Sequence, residues 1–215
     1  MHKILVKRLI LQQETDISQI ATTLDKHVSR QHINTVNWTA FSYEPKTNFI
    51  IGHTSNSILL KFEVREKYLR AQKTRVNGDV YKDSCVEFFI SFDKTNYYNF
   101  EFNCIGTIHL AYGPDREIRK FVPPELVRKI KVKSSLGYQP FKEKTGDFSW
   151  ELVARIPLTC FLFSDLQSLD KRTATANFYK CGDETTLPHY LTWNPVETVA
   201  PDFHQPDFFG KIRFE

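Results

Sequence analysis

Val80-Tyr81-Lys82-Asp83-Ser84-Cys85-Val86-Glu87-Phe88-Phe89-Ile90-Ser91-Phe92-Asp93 opens as a polar, acidic turn and runs straight into an apolar segment. Phe88 to Phe92 is too rich in β-forming residues, and too short, for a helix, so it reads as a strand. The turn then lies at the edge of a sheet, where a rigid scaffold holds binding groups in place. Tyr81 offers that edge a flat apolar plate, and Glu87 offers a hydrogen-bond acceptor. A sugar ring needs both, because its faces are C–H and its rim is hydroxyl. The plainer alternative is a hairpin with a surface tyrosine and a solvated or salt-bridged glutamate.

Outward from this segment the alternation recurs. Along 57–66, Leu60, Phe62 and Val64 take one side while Lys61, Glu63 and Arg65 take the other. Tyr97 to Cys104 alternates again, and Gly106 begins a hairpin into Ile108-His109-Leu110-Ala111-Tyr112. Residues 3–11 read as a first strand, 48–53 as another, and further strands are expected at 126–133, 149–156, 175–181, 189–193 and 210–214. Asp16 offers an N-cap to Ile17–Leu24, whose apolar residues recur at helical spacing. Many short strands with turn signals between them predict an all-β, antiparallel β-sandwich with a short N-terminal helix. No repeat, low-complexity tract or linker divides the chain. The expectation is one domain over 1–215, with 1–35 an N-terminal extension packed on it.

Composition agrees and narrows the function. The 215 residues are 41% apolar and 14% aromatic, with eighteen Phe, which favours sheet. The formal charge of +4 is mild and its signs are interspersed, without the basic stripe of a nucleic-acid binder. Arg128 to Lys133 alternates basic and apolar residues and reads as a half-exposed strand. Cys85, Cys104, Cys160 and Cys181 form no CxxC and read first as buried thiols, with pairing into disulfides left open. The first residues are broken by Lys7-Arg8 and do not resemble a signal peptide. No run approaches the roughly 20 apolar residues of a membrane span. These features point to a soluble, cytoplasmic chain. No Gly-x-Ser-x-Gly, phosphate loop or His-Glu-x-x-His occurs.

The order of motifs resembles the carbohydrate-binding module family 9-like domains, in particular the free-standing bacterial form. Its anchors are Trp38 in Val-Asn-Trp, the Leu59–Val64 strand, Tyr81 to Glu87, and Phe100-Glu101-Phe102-Asn103. Beyond them come Trp150 to Leu158, Leu191-Thr192-Trp193, and Phe203-His204-Gln205-Pro206-Asp207-Phe208-Phe209-Gly210-Lys211-Ile212. The resemblance implies a sandwich of immunoglobulin-like or jelly-roll type. It also implies non-catalytic binding of a mono-, oligo- or polysaccharide in glycan utilisation. In sugar-binding members two tryptophans clamp a terminal sugar, and the matching positions are Tyr81 and Phe203. The family's acidic ligand matches Glu87, and its Arg and Asn pair on the next strand matches Glu101 and Asn103. Glu101 reverses the charge, and a further Asn of the family corresponds to Ala200.

The candidate carbohydrate-binding residues are therefore Tyr81, Glu87, Asn103, Phe203, Glu101, His204 and Lys180, with no catalytic residue assigned. Each has a structural alternative: a hydrophobic plug for the rings, a surface histidine for His204, a solvated lysine for Lys180. Trp38, Trp150 and Trp193 read as structural. No cofactor is expected: haem would need a Met and a His, and Met1 is the only Met. A structural calcium is possible, as in some relatives, but no compact oxygen-ligand loop stands out. Neither nucleic acid nor membrane is an expected partner. Two alternatives stay open, a glycoside-acting enzyme or accessory domain, and an interaction scaffold whose sugar site has decayed.

Overall fold

A computed structural model describes residues 1–12 and 14–215. Its strands are β1 (Lys3–Arg8), β2 (Gln31–His32), β3 (Thr35–Val36), β4 (Lys46–Thr54), β5 (Ser57–Ala71), β6 (Cys85–Ser91) and β7 (Tyr97–Asn103). They continue as β8 (Ile108–Gly113), β9 (Lys120–Phe121), β10 (Lys131–Ser134), β11 (Phe141–Pro157), β12 (Thr173–Cys181), β13 (Tyr190–Thr192) and β14 (Gly210–Phe214). The helices are α1 (Ile17–His27) and the short α2 (Pro124–Val127).

The all-β expectation holds, with a short N-terminal helix. The main strands form one hydrogen-bonded path, β10-β11-β5-β4-β1-β14-β12-β6-β7-β8-β9, curled into two layers. Phe49 of β4 stacks on Phe178 of β12 with ring centroids 3.7 Å apart, tying the layers together. Pairing is antiparallel except at β1, which runs parallel to β14 through Lys3–Val6 and parallel to β4 through Lys7 and Arg8. One strand therefore joins the two layers, and the sheet is mixed there. Alternation reports which face a residue takes, not the direction of its neighbour, so this feature was hidden in the sequence.

The interlayer core holds Phe62, Phe88, Phe100, Phe178, Trp150 and Trp193. On β6, Val86, Phe88 and Ile90 enter it, while Cys85 and Phe89 face a second apolar cluster. Trp38, Tyr179, Phe203 and Phe209 belong to this second cluster, so the segments around 38 and 203–209 cover the outer face of the sheet. α1 covers the opposite layer. Asp16 Oδ1 accepts from the Ser18 backbone N–H at 2.7 Å, and Ile20 and Leu24 are fully buried. Burying each such side chain contributes about 1.5–3 kcal/mol.

Two details differ from expectation. β5 and β11 are longer than the alternating parts of their sequences and pair with register shifts between Phe141/Lys144 and Thr145/Phe148. The expected strand at 126–133 is a helical turn followed by β10, because Pro124 starts a helix well and cannot donate to a sheet. All four cysteines are free and buried, and all three tryptophans are buried. Among the described residues, no helix is long and apolar enough to cross a membrane.

Candidate functional site

Residues Val80–Lys82 make one tight helical turn before β6. The fully buried Asp83 anchors it, its Oδ2 accepting from the backbone N–H groups of Gln72 and Lys73 and from Asn103 Nδ2, at 2.8–3.0 Å. The Tyr81 and Lys82 carbonyls accept from Asp183 and Glu184 N–H at 3.1 Å, which fastens the turn to the chain leaving β12. Tyr81 is left half-buried at the mouth of a cleft of about 390 Å³.

Strand alternation supplies the floor. Glu87 on β6 and Glu101 on β7 are cross-strand partners, each 3% exposed, and both line the cleft. Glu87 Oε1 accepts from Cys181 Sγ at 3.1 Å. Glu101 Oε1 accepts from Asn99 Nδ2 at 2.8 Å, while its Oε2 has no hydrogen-bond partner among the described residues. Burial, followed by the Glu101 charge, pushes the Glu87 carboxyl well above the usual carboxylate range. The same two causes raise Asp183, also in the lining, to about 6. Burial lifts the Cys85 thiol to about 12 and the Cys181 thiol well above its usual value.

Phe203 and His204 form the far wall. Phe203 is 7% exposed, and one face of its ring is taken by Tyr179 at 4.2 Å in a stacked pair. The Phe203 carbonyl accepts from Tyr179 Oη at 3.0 Å, fixing the segment from its backbone. His204 Nδ1 lies 2.7 Å from Tyr97 Oη. Burial, then Arg119 and Arg116, hold the imidazole neutral, its pKa lowered to about 2. Half-buried Phe41 and Tyr190 meet edge-to-face at 4.9 Å beside this wall.

The remaining wall is the loop between β8 and β9, which brings Arg116 and Arg119 to the cleft. Asp115 Oδ1 caps the loop, accepting from Glu117 and Ile118 N–H at 2.8 and 2.6 Å. Gly113 lets it double back, since a Cβ there would lie 2.2 Å from the Ile118 carbonyl oxygen. Arg116 Nη2 stands 3.4 Å from Asp202 Oδ1, and Asp202 caps His204 N–H at 2.9 Å, so the arginine loop and far wall meet at the rim.

Five of the seven residues singled out in the sequence thus line one cleft: Tyr81, Glu87, Glu101, Phe203 and His204. Two do not, which corrects their placement. Lys180 points to the other face of β12. It is fully buried between the layers, with Nζ 3.0 Å from Glu66 Oε2 and 2.9 Å from His189 Nε2. Asn103 is also fully buried and spent on structure, donating to the Lys73 carbonyl and to Asp83 and accepting from Thr107 N–H. Sequence reasoning missed Arg116, Arg119, Asp183, Tyr190, Phe41 and Cys181. The turn signal Gly113-Pro114-Asp115 after the hairpin strand marks the arginine loop. The others sit at strand ends and in connections without a motif. Together the groups offer flat rings at the mouth, carboxylate acceptors on the floor and guanidinium donors at one side.

The description "carbohydrate-binding family 9" belongs to a family model that matches residues 18–214. Among solved structures, a candidate carbohydrate-binding protein of Bacteroides uniformis ATCC 8492 is 39% identical, with a TM-score of 0.96 over 99% of each chain. A family 9 carbohydrate-binding module of Caldicellulosiruptor kristjanssonii, solved with glucose, gives a TM-score of 0.61 at 13% identity over 100% of this chain and 96% of that one. A family 9 module of that organism solved with cellotriose gives 0.62 at 12% identity, covering 100% and 94%. At these identities the likeness is one of fold. No curated protein matches significantly.

Proposed function

We propose that this chain, which belongs to carbohydrate-binding family 9, holds a saccharide non-catalytically in the cleft between Tyr81 and the Phe203–His204 segment. The observation that carries this is the joining of half-exposed rings to buried acceptors in one cavity. Tyr81, and Tyr190 with Phe41, offer apolar faces for the C–H side of a pyranose. Phe203, already stacked on Tyr179, serves as packed wall more than as a free plate. The unpartnered Glu101 Oε2 accepts a sugar hydroxyl, and Arg116 and Arg119 donate to ring or hydroxyl oxygens. The volume of about 390 Å³ falls within the ~300–1,000 Å³ of small-ligand clefts. The crystallographic complexes of C. kristjanssonii family 9 modules with glucose and cellotriose support this class of ligand. A role in glycan utilisation follows from it.

Calorimetry against glucose, cello-oligosaccharides and a polysaccharide panel tests the proposal. Binding in the millimolar to micromolar range is expected, about 4–8 kcal/mol. Tyr81→Ala should weaken it by about tenfold or more. A panel without any binder, or a ligand indifferent to Tyr81→Ala, would refute it.

A further inference from the structure

We propose that Cys85, Cys181 and Glu87 form a site for one thiophilic divalent cation of the zinc type, with its open coordination position turned into the cleft. Cys85 and Glu87 are two residues apart on β6 and so share a face. Cys181 is the register partner of Cys85 on the neighbouring strand β12. The three donor atoms lie within 4.8 Å of one another, with Cys181 Sγ and Glu87 Oε1 3.1 Å apart. A tetrahedral ion with bonds of about 2.3 Å to sulfur and 2.1 Å to oxygen needs ligand separations of about 3.6–3.8 Å. The separations found, from 3.1 Å up to at most 4.8 Å, bracket those values. Two strands of the same sheet hold it, so no loop must order for the ion to bind.

The ligand types choose the metal. Thiolates favour zinc and its soft congeners, whereas calcium and magnesium take oxygen ligands. Glu87 and Cys181 line the cleft, which gives the ion a route in and leaves a fourth position for water. Glu101 adds a reason for a cation here. It faces Glu87 across the ladder, is 3% exposed, and has one carboxylate oxygen without a hydrogen-bond partner among the described residues. That free oxygen can accept from a water held at the ion's open position. Binding exchanges two S–H bonds for two S–metal bonds and the O–H of a protonated Glu87 carboxyl for an O–metal bond, and each displaced proton leaves to solvent. The two thiolates then cancel the charge of the ion, and Glu87 contributes the third bond as carboxylate.

The test is a Co²⁺ titration of the full chain, kept reduced by a phosphine, followed by Zn²⁺ displacement; it reads the cation and needs no saccharide. One Co²⁺ per chain is expected, with thiolate-to-cobalt charge-transfer absorption and the intense visible bands of a tetrahedral ion, both lost on adding Zn²⁺. Cys85→Ser and Cys181→Ser should each weaken binding by about tenfold or more, whereas Cys160→Ser, remote from the cluster, should not. Circular dichroism verifies that the serine variants fold. An independent readout is a Zn²⁺-dependent rise in the wild-type melting temperature that both variants lack. Absence of the charge-transfer band, equal affinity in Cys181→Ser, or a Cys85–Cys181 disulfide that survives the reductant would overturn the proposal.

Discussion

Glu87 and Glu101 stand directly opposite one another on neighbouring antiparallel strands, both 3% exposed and both facing the cleft. Like charges in that relation destabilise a sheet, and burial with the Glu101 charge pushes the Glu87 carboxyl towards its neutral form. Asn99 Nδ2 and Cys181 Sγ each donate to one of the two carboxyls, while Glu101 Oε2 keeps no hydrogen-bond partner among the described residues. Glu101→Gln keeps the shape and removes one charge. Its unfolding free energy should exceed wild type by about 0.5–1 kcal/mol in urea titrations. Saccharide affinity should fall about tenfold, because a charge-assisted hydrogen bond becomes a neutral one. A less stable variant with unchanged affinity would show that the carboxylate is structural.

Tyr81 and Phe203 line the same cavity but differ in what else they touch. Phe203 is 7% exposed, stacked on Tyr179 and tilted against Trp38 at 6.1 Å. Phe203→Ala should therefore lose about 3–5 kcal/mol of stability, as large-to-small changes in packed clusters do. Tyr81 is half-buried over the cleft mouth, and Tyr81→Ala should lose less than about 1.5 kcal/mol while losing the ligand. Thermal melts and calorimetry on both variants separate a wall from a plate.

Lys180 and Glu66 form an ion pair in which neither side chain is exposed. Glu66 also accepts from Trp150 Nε1 at 2.6 Å, and Lys180 Nζ also meets the Cys181 carbonyl and His189. Lys180→Met strands a buried carboxylate and should destabilise the fold by about 3–5 kcal/mol. Lys180→Met with Glu66→Leu should recover most of that, since a well-packed apolar pair replaces two desolvated charges. Denaturant titration of the single and double variants decides it. Saccharide binding by the folded double variant should match wild type.

The parity of each strand was legible wherever one face differed from the other. Leu60, Phe62 and Val64 separated cleanly from Lys61, Glu63 and Arg65, and Tyr81 and Glu87 were found from a turn and the strand after it. Legibility failed at β12, where every residue from Ala176 to Cys181 is buried because both faces of the sheet are covered. Alternation there shows that Lys180 and Cys181 oppose each other but not which one meets the cleft. The result was a core lysine assigned to the site and a cleft cysteine left out. Asn103 has the parity of Glu87 but sits under the Asp83 turn, which consumes its side chain. Arg116 and Arg119 reach the cleft only because Gly113 folds the loop back, a tertiary fact that local pattern does not carry.

The pH dependence of stability can be dissected at His204. Burial and the nearby arginines lower its pKa to about 2, from 6.5 in an unconstrained chain. Between those values the unfolded chain binds a proton that the fold refuses, so this group removes stability as pH falls through 6.5. The loss reaches about 1.4 kcal/mol for each further pH unit. Asp183 acts with the opposite sign. Its pKa, raised from 3.8 to about 6, makes the fold bind a proton that the unfolded chain releases, so it adds stability as pH falls through 6. Wild-type stability alone therefore mixes opposing slopes, and the comparison with His204→Gln isolates one of them. The variant loses the ring contacts to Phe89 and Tyr97 and should be less stable at pH 7.5. The gap should narrow steadily, and can reverse, as pH is lowered towards 5. Urea midpoints at several pH values measure this, and a gap that stays constant would mean that His204 protonates in the fold as readily as in solution.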